Sequence, residues 1–408
     1  MCANARKIAQ RLVLGKEETA TDLAIRRNLQ SSYDDAGHRL MCCEVLQTQA
    51  GEDLPIWAAD LSKTFQAFCK TPSFRRLLSL AVQRHGNRMR FLLHHDEITP
   101  GNPLRPTADN GKKGTLLFGS FLEFGQNIRR EEAWIPGAVL RSCDMGELPG
   151  GLSQALACVV RQWIRSGVFD RGFTAELDWG PQHIHVDIYR LPADMAAHKD
   201  TWSIIGAGGH RCCMKCSNVV SVRSDVANKD PWFCDICESD SSKFVRVSDQ
   251  DFFELYDNLC AMAPHLNQTS LKKLQTAMGL NYNPYGISAS PELRRYIKPS
   301  MCTFDGMHCL LSNGAANWEL CDFLDACTKK MGQQCMDDIR QVLSASWEYP
   351  NCRKHASICT PAARLRCFSD AKVDKESYKG NASQLLTVLP LVAFWAIMVA
   401  IPDGRALL

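Results

Sequence analysis

The pattern of apolar and polar positions changes its period along the chain. Residues 1–84 have mainly helical spacing, with an amphipathic segment at Lys63–Gln83 that Pro72 interrupts. Short apolar or alternating runs bounded by glycine, proline and asparagine then predict four strands, at Met89–His95, Thr115–Phe124, Trp134–Ser142 and His183–Leu191. One helix, ended by Gly167, is predicted before the fourth strand, and another helix is predicted after Asp194.

The order strand, strand, strand, helix, strand, helix predicts an α+β fold with a mixed sheet in residues 85–210. Residues 1–84 are predicted to form an N-terminal helical region, and residues 211–247 form a cysteine-rich insertion. From residue 248 to residue 408 the spacing is mainly helical again, with proline breaks. We interpret this last segment as a helical region or as the incomplete C-terminal part of the sheet domain.

Composition favours a folded intracellular protein. The chain has 408 residues, 45% of them hydrophobic and 22% charged, which is typical of two or three core-forming units. Its 20 cysteines would indicate disulfides in a small secreted domain, but the N-terminus lacks the apolar stretch and cleavage site of a signal peptide. We therefore expect reduced thiols and a nuclear or cytoplasmic location.

A charge-free run near the end of the chain, Leu385–Pro402, reaches the lower length limit for a membrane span. Pro390 and the lack of flanking basic clusters argue against a span. A buried helix of a core that is truncated near its end is the favoured interpretation, and a C-terminal anchor is the alternative.

Two cysteine pairs stand in the insertion, RCCMKC and CDIC, with seventeen residues between Cys216 and Cys234. Each C-x2-C turn offers two thiolates to one tetrahedral ion, and a loop of this length can bring the pairs together. This spacing predicts a structural zinc site at Cys213, Cys216, Cys234 and Cys237, with Cys212 as a bystander. A chance arrangement in a cysteine-rich chain is the alternative.

Acidic residues stand where two of the predicted strands end. Asp96, followed by Glu97, closes the first strand, and Asp194 follows the fourth. Carboxylates that meet at such a place can hold two divalent cations for attack on a phosphodiester. The alternative is that Asp96 and Asp194 only cap the elements that follow. Glu97 and Asp187 are the second choices for the two positions.

Several motifs in order are similar to those of a known enzyme family: HHDEITPGNPLRP, AHKDTW, GAGGHRCCMKCSNVV and FDGMHCLLSNG. They resemble the DDE/D transposases, within them the CACTA-type branch, which is also similar to the V(D)J recombinase. The resemblance covers roughly residues 85–320 and implies an RNase H-like core with acidic residues after its first and fourth strands. The residues in the matching places are Asp96, Asp194, Cys213 with Cys216, and Met307 with His308.

The resemblance leaves two assignments open. It implies a third acidic residue after a helical insertion, and Asp305 and Glu319 both compete for that role. It also pairs the first two cysteines with downstream histidines, which makes His308 a candidate zinc ligand, whereas the local spacing favours Cys234 and Cys237. Mg²⁺ or Mn²⁺ at the acidic residues and structural Zn²⁺ at the cysteines are the cofactors that this reading implies.

Basic residues precede the first predicted strand and flank the second. The net charge of +3 is too small to indicate nucleic acid by itself, but the charge is unevenly spread. A DNA-binding role for these side chains and an ordinary solvated surface are equally compatible with the pattern. The candidate DNA contacts are Lys63, Lys70, Arg75, Arg76, Arg84, Arg88, Arg90, Lys112, Lys113, Arg129 and Arg130.

The sequence therefore leads to two hypotheses. The first is a DNA transposase, or a protein derived from one, that cleaves and joins DNA as a homo-oligomer with divalent cations. No small-molecule substrate and no membrane partner are expected. The second is a non-catalytic, zinc-dependent module that binds nucleic acid or protein.

Overall fold

The computed structural model describes residues 40–98, 113–222, 224–236, 238–311, 314–345, 361–369, 378–380 and 382–400. In these residues, ten β-strands and fourteen α-helices form an α+β structure. The chain divides into two compact units, Met1–Thr303 and Phe304–Leu408. The change to helical spacing at residue 248 therefore does not coincide with the division between the units.

A mixed sheet of eight strands is the central feature of the fold. Its order is β1-β2-β5-β4-β3-β7-β10, β6 pairs with β7, and β8 and β9 form a separate two-stranded sheet. β3 is antiparallel to β4 and parallel to β7, and β4 is antiparallel to β5. The strands are β1 (Met41–Gln47), β2 (Asp53–Ala59), β3 (Arg88–Ile98), β4 (Gly114–Phe121), β5 (Ile135–Arg141), β6 (Phe173–Leu177), β7 (Gly180–Ala193), β8 (Val219–Val220), β9 (Cys234–Asp235) and β10 (Cys302–Phe304).

The α+β class and all four predicted strands are confirmed, since β3, β4, β5 and β7 occupy the predicted segments. β1 and β2 form an antiparallel hairpin inside the N-terminal region for which the sequence predicted only helices. Burial alternates only weakly along β1, where no side chain is fully buried. Pairing between strands holds this hairpin in place, and such pairing is not visible as a local pattern.

Fourteen helices accompany the strands in the described residues. They are α1 (Leu61–Cys69), α2 (Pro72–His85), α3 (Ser142–Glu147), α4 (Gly151–Arg165), α5 (Val168–Arg171), α6 (Met195–Trp202), α7 (Val226–Lys229), α8 (Asp249–Met262), α9 (Gln268–Met278), α10 (Gly306–Leu310), α11 (Ala315–Met331), α12 (Gln334–Ser344), α13 (Pro361–Cys367) and α14 (Ala382–Trp395). α1, α2, α4 and α6 were predicted.

Local sequence explains the boundary between α1 and α2. The Asp60 carboxylate accepts a hydrogen bond from the Lys63 backbone N–H and caps α1. Pro72 occupies the first turn of α2, where its missing N–H has no helical partner to lose. Pro72 therefore begins a second helix.

The core of the first unit fills the space between one face of the sheet and its helices. Phe65 of α1 packs against Phe91 of β3 and Phe121 of β4, with ring centroids 5.8 and 5.4 Å apart. Trp163 of α4 is fully buried and lies over Gly137, where a Cβ atom would come within 2.5 Å of the indole. Gly137 therefore permits the close approach of α4 to β5.

The second unit is helical in its described residues and has its own core. Leu320, Ile339, Val388 and Trp395 of α11, α12 and α14 are buried together there. The buried start of the run from Leu385 agrees with the favoured reading of that segment as a core helix. Within the described residues, no helix has both the length and the apolarity that crossing a bilayer requires.

Candidate functional site

Two of the predicted acidic positions lie beyond the last pair of the parallel β3–β7 ladder. That pair is Leu92 of β3 with Arg190 of β7. Asp96 follows Leu92 by four residues, and Asp194 follows Arg190 by four residues. If the two chains keep this register, we expect Asp96 and Asp194 to lie toward the same end of the sheet, where adjacent strands are about 4.8 Å apart.

Both carboxylates belong to the sheet face that is turned away from the main core. Leu93 of β3 and Leu191 of β7 are buried in that core. Asp96 and Asp194 each follow one of these leucines by three positions. Because successive side chains alternate between the faces of a strand, the two acidic residues share the opposite face. Both are half-buried.

Asp194 also has a structural role. It is the N-cap of α6, and its Oδ1 accepts a hydrogen bond of 2.6 Å from the backbone N–H of Ala197. Asp194 therefore caps the helix that follows it, which is the alternative role that the sequence analysis gave to this residue. This hydrogen bond also fixes the orientation of the carboxylate at the end of β7, which a ligand of a metal ion requires.

Buried histidines surround this end of the sheet. The Nε2 atom of His95 lies 3.1 Å from Oγ1 of Thr201, and that hydroxyl donates to the carbonyl oxygen of Ala197. His198 Nε2 donates to the carbonyl oxygen of Thr303, 3.1 Å away. His198 and Thr201 were missed by the sequence analysis. The sequence pattern that could have identified them is the pair of polar residues in AHKDTW that lies on the buried side of α6.

The two imidazoles are neutral at pH 7. Burial lowers the pKa of His95 to about 4, nearby His198 contributes, and the carboxylate of Asp194 acts in the opposite direction. Burial also lowers the pKa of His198. Burial raises the pKa of Asp200, and Asp194 raises it further. Asp194 therefore stands among neutral histidines and a second carboxyl group.

The second-choice acids are engaged in surface ion pairs. Both carboxylate oxygens of Asp187 accept from the guanidinium of Arg88, at 2.6 and 3.1 Å. Glu97 pairs with the ammonium of Lys113 at 2.9 Å. These contacts compete with metal binding at Glu97 and Asp187.

The candidates for the third acid lie in the second unit. Asp305 caps α10 through the backbone N–H of Met307, and its Oδ2 binds Nδ1 of His308 at 2.5 Å. Burial raises the pKa of Asp305, but the hydrogen bonds from His308 and Met307 outweigh it and leave the pKa lowered. Glu319 lies exposed on α11. His308, the candidate zinc ligand of the family pattern, is thus a partner of Asp305.

Three of the predicted zinc cysteines, Cys213, Cys216 and Cys234, lie around the small β8–β9 sheet. Val219 of β8 pairs with Cys234 of β9, and Cys216, Cys234 and half-buried Cys213 belong to one small cluster. The backbone N–H of Lys215 donates to Sγ of Cys213 at 3.4 Å, across the turn between the first two cysteines. The sheet therefore brings Cys234 toward Cys213 and Cys216.

Thiol chemistry and ligand number decide how well this cluster suits zinc. Burial, together with the neighbouring Cys213, raises the pKa of Cys216 to about 11. Zinc needs thiolates, and its positive charge offsets such a rise. Cys237 lies outside the described residues. Among the residues that are described, no group of three or more histidine, cysteine or acidic side chains is arranged to hold a metal ion. The donor types fit zinc, but the predicted set cannot be completed without Cys237.

A buried asparagine that the sequence reading missed holds the insertion together. Asn218 donates from Nδ2 to the carbonyl oxygens of Trp232 and Lys243, at 3.0 and 2.8 Å. Its Oδ1 accepts from the backbone N–H of Val245 at 2.8 Å. One side chain thus connects three loop segments independently of a metal ion.

Many of the basic residues that were candidates for DNA contact are neutralised by acidic neighbours. The pairs are Lys63–Asp60, Arg75–Asp178, Arg88–Asp187, Arg90–Glu123 and Lys113–Glu97. Glu123 is almost fully buried and also accepts from the backbone N–H of Arg90. These pairs favour the solvated-surface interpretation for that stretch.

The roles of the acidic and cysteine residues have to be argued from this geometry. Comparison of the sequence with protein-family models and with curated proteins gives no match.

Proposed function

We propose that this protein is a DNA transposase, or is derived from one, and cleaves and joins DNA strands with divalent cations on an RNase H-like core. In that type of core the first and fourth strands are neighbours, and β3 and β7, the matching strands, are adjacent and parallel. The observation that carries the proposal is that Asp96 and Asp194 each lie four residues beyond the last pair of this parallel ladder.

In this proposal Asp96 and Asp194 bind the cations. Asp96 and Asp194 would hold divalent ions there, and such ions would supply the activation of a water or a 3′ hydroxyl and the stabilisation of the leaving oxygen of a phosphodiester. The hydrogen bond from Ala197 fixes Asp194. His95 and His198 stay neutral and add no positive charge that would repel the cations.

The third acid that the family resemblance implies stays open between Asp305 and Glu319. Hydrogen bonds from Met307 and His308 fix the Asp305 carboxylate and lower its pKa. Glu319 is exposed. DNA as the substrate, a homo-oligomer as the active form and a nuclear location belong to the same proposal.

Structural zinc is proposed at Cys213, Cys216, Cys234 and Cys237. The proximity of the first three cysteines and the N–H···S hydrogen bond to Cys213 support this assignment. When bound, the ion would connect the two halves of the insertion, and Asn218 makes the same connection through hydrogen bonds.

Metal-dependent nicking of supercoiled plasmid DNA tests the activity. The wild-type chain is expected to nick with Mg²⁺ or Mn²⁺, and Asp96→Asn and Asp194→Asn are each expected to remove this activity. Asp187→Asn is the matched control, because Asp187 lies on the same strand but is paired with Arg88. Absence of nicking by the folded wild-type chain, or equal loss in the control, contradicts the proposal.

One observation favours the second hypothesis, a zinc-dependent binding module. Val222, Trp232 and Ile236 of the insertion expose 57%, 48% and 52% of their surface. Exposed large apolar side chains on one small segment are typical of a binding surface. Stable binding to DNA or protein without any nicking supports this second function.

A further inference from the structure

The short helix that begins at Asp194 is held by polar contacts from its first turn to its last. α6 has eight residues, and a helix of that length has little stability of its own. Its position therefore depends on the residues that it contacts. His198 and Thr201 on its buried side are fully buried, and both form hydrogen bonds with residues distant in the sequence.

Thr201 connects α6 to β3. Its hydroxyl has one hydrogen, which it donates to the carbonyl oxygen of Ala197 at 2.8 Å. The hydroxyl oxygen therefore accepts from Nε2 of His95 at 3.1 Å, which requires the proton of this imidazole to be on Nε2. His95 precedes Asp96 in β3, so the hydrogen bond joins the helix to the strand that carries the first candidate acid.

Ala197 connects the same helix to the second candidate acid. Its backbone N–H donates to Oδ1 of Asp194 at 2.6 Å, and its carbonyl oxygen accepts from Thr201. Three hydrogen bonds therefore connect the His95 ring to the Asp194 carboxylate, through one hydroxyl and one backbone residue.

A second buried hydroxyl fixes the last turn of α6. Oγ of Ser153 on α4 donates to the carbonyl oxygen of Thr201 at 2.6 Å and accepts from the backbone N–H of Ile287 at 3.0 Å. Thr201 is thus held by both β3 and α4. A shift of α6 along the sheet would break at least one of these hydrogen bonds.

The contact between His95 and Thr201 is a buried polar pair in a core that is otherwise apolar. Phe91 and Leu93, at the preceding alternate positions of β3, belong to the hydrophobic core. Replacement of both partners of a buried hydrogen bond with apolar groups of the same shape can be nearly neutral for stability. A satisfied polar network instead specifies one arrangement of its elements. The pair therefore indicates a positional role more than a stabilising one.

We propose that His95 and Thr201 are positioning residues for the candidate metal site: they fix α6 against β3 and so set the position of the Asp194 carboxylate. This inference rests on the proposed function, because ligation of a cation by Asp194 is what requires one position of its carboxylate. Partners that orient a metal ligand are each worth about 10- to 100-fold in metal affinity. Both residues act through Asp194 and not on the cation itself.

Removal of the Thr201 hydroxyl tests this link. Thr201→Val replaces the hydroxyl with a methyl group of similar size, and Thr201→Ser is the conservative variant that keeps the hydroxyl. Thr276→Val is the matched control on α9. The Thr276 hydroxyl donates to the carbonyl oxygen of Lys272 at 2.9 Å in the same way, but it makes no other hydrogen bond within the described residues.

The measurements are hydrogen exchange of the α6 amides by mass spectrometry, with α4 as the internal reference, and titration of the full chain with Mn²⁺. The affinity compared is that of the Mn²⁺ binding that Asp194→Asn removes. Thr201→Val is expected to speed exchange at Ala197, whose N–H donates to Asp194, and to weaken Mn²⁺ binding about 10-fold. Thr201→Ser is expected to restore both properties, and Thr276→Val to leave both unchanged.

Exchange at Ala197 that Thr201→Val leaves unchanged overturns the inference, whatever the chain does with DNA. His95→Leu removes the same hydrogen bond from the β3 side and decides the outcome if Thr201→Val does not fold. Equal effects of Thr201→Val and Thr201→Ser also contradict the inference, because only one of them lacks the hydroxyl. A wild-type chain that binds no Mn²⁺ and nicks no DNA contradicts the proposed function, and faster exchange in Thr201→Val then still supports the link to Asp194.

Discussion

Leu92 of β3 lies opposite Arg190 of β7, although Phe91 lies opposite Ile188. Tyr189 is therefore an extra residue in β7, which bulges between these two pairs. Without the bulge, a simple count would align Asp96 with Ala193, whose side chain is buried. With the bulge, the same count aligns Asp96 with Asp194.

The first prediction separates the two roles of Asp194. Asparagine and aspartate cap helices about equally well, whereas replacing either of them with alanine lowers the free energy of unfolding by about 1 kcal/mol. We expect Asp194→Asn to keep the free energy of unfolding, measured in urea, and Asp194→Ala to lose about 1 kcal/mol. Both variants are expected to lose metal-dependent nicking. If Asp194→Asn nicks DNA as well as the wild type, Asp194 is a helix cap and nothing more.

The second prediction concerns stability at acidic pH. Because burial lowers the pKa of His95 from 6.5 to about 4, the unfolded chain binds this proton more readily than the folded chain. The stabilisation is present above pH 6.5 and is lost as the pH falls from there toward 4. It amounts to about 3 kcal/mol at most.

Urea unfolding between pH 7 and pH 4.5 measures this dependence. His95→Gln is expected to be less stable at pH 7 but to lose less stability on acidification than the wild type. His265→Gln, at an exposed position, should follow the wild-type curve. An unchanged pH dependence in His95→Gln would rule out His95 as its source.

The third prediction concerns zinc stoichiometry. We expect the purified chain to contain one zinc ion, measured by elemental mass spectrometry. Cys213→Ser and Cys216→Ser are expected to lose it and to unfold at lower temperature, since metal binding stabilises only the folded chain. Cys212→Ser should retain zinc, because the Cys212 thiol is directed to the carbonyl oxygen of Val219. Retention of zinc by Cys234→Ser would instead favour the histidine pairing of the family pattern.

The fourth prediction isolates Asn218. Asn218→Ala leaves three backbone groups of the insertion without their hydrogen-bond partner and is expected to cost about 3 kcal/mol. Faster hydrogen exchange at the amide of Val245 is the local measurement, because that N–H donates to Asn218. Asn267→Ala, which removes the cap of α9, is the control and should cost about 1 kcal/mol without affecting Val245. Equal exchange at Val245 in the two variants would contradict the role given to Asn218.

Much of the main sheet was predictable. β3, β4, β5 and β7 are apolar runs between turn residues, and local patterning is strong when a strand is buried on at least one side. β1 and β2 were missed because their side chains are largely half-buried or exposed and their pairing is not a local property. The acidic candidates were found by their position at strand ends.

The sequence by itself determined the α+β class, the four strands β3, β4, β5 and β7, and the chemical types of the acidic residues and cysteines. Only the tertiary structure decided that β7 bulges at Tyr189 and that Arg88 forms an ion pair with Asp187. The physical reason is that periodicity records which side of its own element a residue faces, whereas register, ion pairing and burial depend on partners distant in sequence.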